Sequence, residues 1–275
     1  MRTLSSANLW KFIGIAAVLC TVMLLAGFGY AVKDMLYPKS EAYSGSEDLP
    51  ALPAGGNLSE SKEINVTAIG DSLTKGTGDS SGEGYVKQLV ALLKTKYPDT
   101  AVRLNNNLAV NGMKADQLAK LLDTDKGYRF ALRQANLIVF TIGGNDLFQI
   151  AAGASPSRMT GELKLDKLQA ELPQGLDRLD AITKRLNAIN PNAHVVYVGL
   201  YNPFYDIGDY REGSLQIQKW NERAYALLHR YPNMSMVPTF DLFENTISRY
   251  LSSDHFHPNH NGYAQIAARI VQSLE

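Results

Sequence analysis

Cysteine is almost absent from this chain, which has a single one, Cys20, among 275 residues. A lone cysteine cannot form an internal disulfide, and the rest of the chain is left without a thiol nucleophile. Cys20 follows Leu19 in the middle of an apolar N-terminal run. Because bacterial lipid attachment uses a cysteine that follows a small residue, we interpret Cys20 as a membrane-buried thiol.

A surplus of charge of either sign is also absent. The chain has 27 Lys and Arg residues against 27 Asp and Glu residues, for a formal net charge of +0. Nucleic-acid-binding proteins typically carry a basic surplus, so the composition predicts no nucleic-acid partner. With 45% hydrophobic residues, the chain can form one sizeable α/β domain plus an appendage without disulfides or metals. Its oligomeric state stays open.

An uncharged apolar run occupies residues 12–32, about 21 residues and therefore long enough to cross a bilayer as a helix. Arg2 and Lys11 precede it, and positive charge before a span favours a cytoplasmic N-terminus with the rest of the chain outside. A cleaved signal peptide is the alternative, with a poor cleavage site at residues 29–31. We predict a single-pass anchor in the cell membrane, or a secreted protein if the segment is cleaved.

Three parts are predicted along the chain. Residues 1–33 form the membrane anchor or signal, and residues 63–275 form the folded domain. Between them, residues 34–62 contain three prolines, one Gly-Ser pair and one Gly-Gly pair, with little apolar periodicity. This composition is typical of a flexible linker, which would hold the folded domain off a membrane surface.

From residue 63 onward, β-rich apolar runs alternate with segments of helical apolar spacing. Strands are predicted at residues 65–69, 102–108, 135–142, 194–200 and 234–237. Helices are predicted at residues 84–97, 115–122, 165–189, 215–230 and 262–274. This alternation indicates an α/β domain with a parallel sheet and helices on both faces.

Glycine and polar residues follow the predicted strands, at the edge where open parallel sheets place their active sites. Gly70-Asp71-Ser72-Leu73 follows the first strand, Ala109-Val110-Asn111-Gly112 the second, and Gly143-Gly144-Asn145-Asp146 the third. The sequence therefore predicts a site at this edge.

Ser72 is the candidate nucleophile. A serine hydroxyl is weak unless a base removes its proton, and His257 is the candidate base. Asp254 lies three residues before His257, a spacing that lets the carboxylate reach the imidazole within one turn and fix its tautomer. An acyl-transfer intermediate also needs donors aimed at its oxyanion. The backbone N–H groups of Ser72 and Gly112 and the side-chain amide of Asn145 are the candidates.

These blocks together resemble the SGNH, or GDSL-type, hydrolases. Four of them stand in the family's order: Gly70-Asp71-Ser72-Leu73, Gly112, Gly143-Gly144-Asn145-Asp146 and Asp254-His255-Phe256-His257-Pro258. The resemblance implies a flavodoxin-like three-layer α/β/α fold and ester hydrolysis through an acyl-serine, without a metal or other cofactor. It also implies the roles given above. The chain looks most like lysophospholipase-like members from Gram-positive bacteria that carry an N-terminal membrane segment.

Other chemistries share some of these residues. Ser72-Leu73-Thr74-Lys75 matches the Ser-x-x-Lys of penicillin-binding proteins, but neither Ser-Asp-Asn nor Lys-Thr-Gly follows. Aspartate and histidine are also zinc ligands, and the segment contains Asp254, His255, His257 and His260. The spacing of Asp254 and His257 fits the base of a serine hydrolase better than a zinc site. By itself, Ser72 could also be a helix cap. We interpret Asp71 as a residue that shapes the turn and Asp146 as a support for Asn145.

Two hypotheses about function follow. The first is an extracytoplasmic esterase or lipase-like hydrolase, for lysophospholipid or other acyl esters or for O-acetylated carbohydrate. The second is a catalytically idle domain that binds a cell-envelope polymer, and a gap in the set of site residues would favour it. Apolar side chains after the third and fourth strands are candidates for an acyl pocket: Leu147, Phe148, Ile150, Phe204 and Tyr205. Residues 151–162 resemble an insertion near that pocket.

Overall fold

The structure, a computed structural model, describes residues 6–36, 52, 58–152 and 165–274. The chain divides into two units, residues 1–48 and residues 49–275. Most of the predicted linker at residues 34–62 lies outside the described residues, and so does the predicted insertion at residues 151–162 beyond its first two positions. The three-part division of the chain therefore stays a prediction.

The first unit contains the α1 helix, Ser6–Leu36. Within it, Ile13–Ala31 is a stretch of 19 residues with a mean hydropathy of 2.1, long and apolar enough to cross a membrane. The stretch coincides with the predicted span. Its length and composition fit a membrane anchor, and they fit a signal sequence equally well.

The second unit is built on a parallel sheet. Its strands are β1 (Glu63–Gly70), β2 (Ala101–Asn107), β3 (Leu137–Thr141), β4 (His194–Val198) and β5 (Met234–Val237). The strands lie in the order β2-β1-β3-β4-β5, and each pairs in parallel with its neighbour. This is the flavodoxin-like strand order, which confirms the predicted fold class.

Helices cover both faces of the sheet. The described α-helices are α2 (Ser72–Lys75), α3 (Gly84–Lys96), α4 (Ala115–Thr124), α5 (Lys126–Arg133), α6 (Gly144–Ala152), α7 (Leu165–Ile189), α8 (Ser214–Leu228), α9 (Phe240–Glu244), α10 (Ile247–Tyr250) and α11 (His260–Ser273). Buried residues of α3 and α11 share one core cluster, and those of α4, α7 and α8 share the other. The result is three layers, helix, sheet and helix.

Both faces of the sheet are buried, as alternate residues of β3 demonstrate. Leu137 and Val139 belong to the core cluster beneath α3 and α11. Ile138 and Phe140 belong to the cluster beneath α4, α7 and α8. All four side chains are 0% exposed. A strand that must be apolar on both faces has no polar alternation, which is why the sequence of β3 is a continuous apolar run.

The carboxyl edge of the sheet has a topological switch point between β1 and β3. From β1 the chain crosses to β2 on one side, and β3 pairs with β1 on the other side. Loops that leave neighbouring strands in opposite directions open a crevice between them, and open α/β sheets bind their ligands there. Ser72 follows β1 and Asn145 follows β3, so both side chains begin at this crevice.

Candidate active site

Ser72 is the first residue of α2, at a sharp turn directly after β1. Gly70 has a φ of 122°, and a Cβ at that position would lie 2.0 Å from the carbonyl oxygen of Thr141. Only glycine therefore allows β1 and β3 to approach so closely at their ends. Asp71 caps α2 by accepting a hydrogen bond from Leu73 N at 3.1 Å. The turn leaves Ser72 5% exposed at the start of the helix.

His257 and Asp254 lie in a tight loop between α10 and α11. Leu251 and Pro258 form an isolated antiparallel bridge, and Ser252 N donates to the His257 carbonyl at 2.8 Å. Within this closed loop, His257 Nδ1 lies 2.6 Å from Asp254 Oδ2. The other ring nitrogen, Nε2, lies 2.8 Å from Ser72 Oγ. The structure therefore brings the serine, the histidine and the aspartate into one continuous chain of hydrogen bonds.

The Asp254 carboxylate is held in its ionised form. Its second oxygen, Oδ1, accepts hydrogen bonds from Ser252 Oγ at 2.7 Å, Phe256 N at 3.0 Å and His257 N at 2.9 Å. Partial burial opposes ionisation, but these bonds and that from the His257 ring outweigh it and lower the pKa of Asp254 to about 2. An ionised carboxylate on Nδ1 keeps the proton on that nitrogen and leaves Nε2 to accept the serine proton.

Gly112 lies in the turn after β2. Met113 N donates to the Val110 carbonyl at 3.2 Å, and Gly112 adopts a φ of 75° within this turn. Val110 N donates to the Gly70 carbonyl at 2.9 Å, which fixes the turn to the end of β1. Asn111 Oδ1 accepts a hydrogen bond from Thr77 Oγ1 at 2.9 Å, so this side chain braces the same turn.

Asn145 occupies the first turn of α6, where the sequence had suggested a loop. Its Nδ2 donates to the Met113 carbonyl at 3.0 Å, and the side chain is buried. This bond joins the end of β3 directly to the turn that carries Gly112. Ser72, Gly112 and Asn145 therefore follow three adjacent strands, and hydrogen bonds connect the turns in which they lie.

A model of the GDSL-like Lipase/Acylhydrolase family matches residues 68–265, a span that contains every residue of the predicted site. The chain belongs to this family. Family membership supports ester hydrolysis as the class of reaction.

Relatives of this GDSL-family chain include YpmR, an uncharacterized protein of Bacillus subtilis (strain 168). It is 33% identical over 218 residues, which cover 78% of this chain and 82% of that protein. Among solved structures, the lipase Lip_vut3 from a goat rumen metagenome has a TM-score of 0.66 at 23% identity, covering 77% of this chain and 100% of that chain. A variant of Axe2, an acetyl xylan esterase from Geobacillus stearothermophilus, has a TM-score of 0.55 at 18% identity, covering 77% and 94%. At these identities the solved structures show the fold.

A buried row of polar side chains lies beneath the nucleophile turn of this GDSL-family chain. Asp71 Oδ1 accepts from Thr141 Oγ1 at 2.6 Å, Thr141 Oγ1 lies 2.7 Å from Thr74 Oγ1, and Thr74 Oγ1 lies 2.7 Å from Tyr85 Oη. Burial raises the pKa of Asp71, and the bonds from Thr141 and Leu73 offset this only in part. The row fixes α2 to β3 and α3, as the turn-shaping interpretation of Asp71 requires.

The sequence had not singled out Thr141, Thr74 or Tyr85. The available signal was weak: Thr141 is the single polar residue at the end of the otherwise apolar β3. The bonds of Thr74 to both Thr141 and Tyr85 join α2 to two other elements, and such partners are invisible without the fold.

Asp146 is bonded to both α4 and α7. Its Oδ2 accepts from Ala115 N at 2.9 Å, and its Oδ1 accepts from Arg178 Nη1 at 3.1 Å. The side chain is 1% exposed. Asp146 therefore fixes the first residue of α4 against α7, and it acts on the Gly112 side of the crevice through α4.

Aromatic rings pack beside His257. The ring of Phe256 lies edge-on to His257 at a centroid distance of 4.9 Å, and it contacts Phe148 at 5.7 Å and Phe204 at 6.0 Å. Phe148 and Phe204 contact each other at 5.9 Å. We call Phe148, Phe204 and Phe256 the aromatic cluster. Two of the side chains predicted for an acyl pocket, Phe148 and Phe204, therefore pack against the residue that precedes His257, and they are 4% and 5% exposed.

The other three acyl-pocket candidates do not join the aromatic cluster. Leu147 is fully buried in the core beneath α4 and α7. Tyr205 packs edge-on against Phe240 at 6.3 Å and against the opposite core cluster. The side chain of Ile150 lies outside the described part of the chain.

The residues of the alternative chemistries have separate partners. Lys75 is exposed at the end of α2, whereas the Ser72 hydroxyl bonds to His257. His255 Nε2 lies 3.0 Å from Asp206 Oδ1, and His260 Nδ1 lies 3.1 Å from Ser81 Oγ. The three histidines of the segment thus bond to three different parts of the fold, and the one on Ser72 is His257.

Proposed function

We propose that this chain is a membrane-anchored serine esterase that cleaves carboxylic esters through an acyl-serine intermediate. The observation that carries the proposal is the continuous chain from Asp254 through His257 to Ser72, with distances of 2.6 and 2.8 Å. A hydroxyl bonded to an imidazole that a carboxylate orients is the arrangement that serine hydrolases need. Membership of the GDSL-like family supports the same reaction.

The proposed first half-reaction forms the acyl-serine. Ser72 Oγ attacks the ester carbonyl carbon while its proton moves to His257 Nε2. The oxyanion that develops accepts hydrogen bonds from the backbone N–H groups of Ser72 and Gly112 and from the Asn145 amide. The C–O bond to the leaving group then breaks, and His257 returns its proton to the departing alcohol.

In the proposed second half-reaction, water attacks the acyl-serine carbonyl. His257 accepts a proton from the water, and the same donors bind the second oxyanion. When the intermediate collapses, the proton returns to Ser72 Oγ and the carboxylic acid leaves. Asp254 stays ionised throughout and stabilises the imidazolium each time it forms.

For the substrate, we propose acyl esters of lipids such as lysophospholipids. Support comes from the aromatic cluster, whose Phe256 ring packs edge-on against His257 and makes one side of the catalytic histidine apolar. Further support comes from α1, whose Ile13–Ala31 stretch fits a membrane anchor and would keep the site near a bilayer.

An O-acetyl esterase acting on carbohydrate is the second candidate. The structural likeness to an acetyl xylan esterase of Geobacillus stearothermophilus favours it. A catalytically idle domain that binds an envelope polymer is less well supported, because each predicted site residue is present and Ser72 is bonded to its base.

We also propose the arrangement of the chain: an anchor or signal at residues 1–33, a linker at residues 34–62 and the hydrolase domain at residues 63–275. The positive charges of Arg2 and Lys11 before the span support an extracytoplasmic hydrolase domain. If the N-terminal segment is cleaved, the same domain is secreted.

Hydrolysis of p-nitrophenyl acetate, butyrate and decanoate by the full chain in detergent micelles tests the proposal. Ser72→Ala should reduce kcat by about a millionfold. The matched control is Ser80→Ala, which removes an exposed hydroxyl from the loop after α2 and should leave kcat unchanged. Preference for decanoate would support lipid esters, and preference for acetate would support the second candidate. A wild type no faster than Ser72→Ala on all three esters would contradict the esterase proposal.

A further inference from the structure

His255 has an unusual backbone conformation. Among the described residues it is the one non-glycine position with a positive φ, at 56°. A side chain makes this left-handed conformation unfavourable, whereas glycine adopts it freely. Strained residues of this kind persist where surrounding contacts hold them, and they cluster at functional sites. The contacts of the His255 side chain and loop are therefore the candidates for what holds this conformation.

The left-handed turn at His255 shapes the hydrogen bonds around Asp254. The chain reverses between Asp254 and Phe256, and the reversal points two successive N–H groups back at the Asp254 carboxylate. Phe256 N and His257 N lie 3.0 and 2.9 Å from Asp254 Oδ1. With Oδ1 held in this way, Oδ2 faces the His257 ring at 2.6 Å. At this turn, Oδ1 thus faces the two backbone N–H groups and Oδ2 faces the imidazole.

The ring of His255 connects this loop to the loop after β4. Its Nε2 lies 3.0 Å from Asp206 Oδ1, and its centroid lies 6.4 Å from that of Phe204. A second link lies deeper, where Tyr201 Oη donates to the Phe256 carbonyl at 2.7 Å. The loop after β4 is thus bonded to the two consecutive residues that separate Asp254 from His257.

We propose that His255 is a positioning residue for the proposed reaction, and that its bond to Asp206 holds the Asp254–His257 loop in register with Ser72. The inference rests on the proposed function of that site. Side chains of His255 and Asp206 are 41% and 47% exposed, and a polar contact so exposed contributes little to global stability. Its effect is therefore on the orientation of His257, and loss of the pair should appear in kcat before it appears in unfolding.

The charged neighbours of the pair have partners of their own. Arg211 lies over the Tyr205 ring and its Nε donates to the Tyr205 carbonyl at 2.9 Å. The Asp254 carboxylate is occupied by His257 and Ser252. Neither Arg211 nor the Asp254 carboxylate therefore takes the place of the bond between His255 and Asp206.

Two variants of His255 distinguish the effect of its ring from the effect of its backbone conformation. In the full chain in detergent, His255→Gly keeps the left-handed backbone and removes the ring, whereas His255→Ala removes the ring and disfavours that backbone. We expect kcat for p-nitrophenyl butyrate to fall about tenfold in His255→Gly and further in His255→Ala, with KM within about twofold, because a misoriented base slows the chemical step.

Asp206 variants test the bond itself. Asp206→Ala should reduce kcat as much as His255→Gly, and the double variant should lose no more than either single variant, because both remove one interaction. Asp206→Asn keeps an acceptor oxygen and should restore most of the activity. His229→Ala is the matched control, since His229 is a histidine on α8 that stacks on Tyr225. It should match the wild type.

A second readout does not depend on turnover. The proton between His257 Nδ1 and Asp254 should give a low-field resonance in the proton NMR spectrum of the wild type and of Ser72→Ala. We expect this resonance to weaken or shift in His255→Gly and Asp206→Ala, and to persist in His229→Ala. If the wild type hydrolyses no ester but the resonance behaves in this way, the positioning role stands and the esterase proposal fails. If the resonance and kcat of His255→Gly and Asp206→Ala equal those of the control, the positioning role is wrong.

Discussion

The acidity of Asp254 has a consequence for stability. Its pKa is lowered from 3.8 to about 2 in the folded chain. A carboxyl group with a depressed folded pKa stabilises the fold above its unfolded pKa, and this contribution is lost as the pH falls through the folded pKa. The free energy of unfolding should therefore decrease between pH 3.8 and about 2, and less steeply in Asp254→Asn. Denaturant unfolding at a series of pH values measures this.

The control for the pH series is Asp99→Asn, which removes an exposed carboxylate from the turn before β2. It should reproduce the steepness of the wild type. Equal steepness in Asp254→Asn and the wild type would show that the bonds around Asp254 do not lower its pKa.

Asp71 combines a capping role with its place beside the nucleophile. Asp71→Ala removes the cap of α2 and should cost about 1–2 kcal/mol of stability. Because the turn also fixes Ser72, kcat should fall by more than tenfold, whereas Asp71→Asn keeps an acceptor for Leu73 N and should be milder. Steady-state kinetics and denaturant unfolding on the same samples measure both effects.

Asp125 provides the matched control, because its side chain caps α5 by accepting from Tyr128 N at 3.0 Å. Asp125→Ala should show a similar loss of stability with unchanged kcat. If Asp71→Ala lost stability but kept its kcat, the cap would not position Ser72.

At the scale of elements, Trp220 of α8 fixes the end of β3 against two helices. The ring is fully buried, and its Nε1 donates to Tyr197 Oη at 2.9 Å. A Cβ on Gly143 would lie 2.3 Å from this ring, and one on Gly175 of α7 would lie 2.6 Å from it. These close approaches fix the strand end that leads into Asn145.

Gly143→Ala should therefore be costly. The added methyl group overlaps a ring that cannot move, and φ is 104° at this position. Overpacking and backbone strain together should lower the free energy of unfolding by about 2–4 kcal/mol. Gly112→Ala separates the two causes, since its φ is 75° but its Cβ would meet no atom within 4 Å. It should cost about 1–2 kcal/mol, and an equal loss in both variants would contradict the overpacking argument.

The regular elements could be predicted because their apolar periodicity is strong. The α7 helix and β5 have the predicted bounds. For the other predicted strands and helices, most predicted ends lie one or two residues from the observed ends. Five described helices were missed: α2, α5, α6, α9 and α10. The α2 and α5 helices show one reason. Both are short, and each begins at an aspartate whose side chain caps it. A short helix held by a cap and by tertiary contacts has little periodicity for a sequence pattern to reveal.

The site could be predicted only where its residues stand in short motifs. Ser72 and the Asp254–His257 spacing are visible in the sequence, and the structure brings them into contact. The bond between Asp206 and His255 joins residues 49 positions apart, and that between Thr141 and Asp71 joins residues 70 apart. Such pairings depend on the order of the strands, which no local pattern specifies.

At the scale of the whole molecule, the proposed anchor α1 would decide where the proposed activity resides. Its apolar stretch should retain the chain in membranes that have been washed with alkaline carbonate, whereas a chain that begins at Glu63 should be released. Fractionation followed by immunoblotting measures this. If the protein expressed as the full chain is found in the medium in a shortened form, the segment is a cleaved signal and the anchor proposal is wrong.

The contact between Ser72 and His257 joins residues 185 positions apart, from the first strand to the loop before the last helix. A ribosome makes the nucleophile early and its base almost last, and domains begin to fold as they emerge. A nascent chain that stops at the end of α10 thus contains Ser72 without the histidine that would activate it. Under the proposed function, incomplete chains are harmless to the esters of the membrane they cross, and hydrolysis begins only when synthesis is nearly complete.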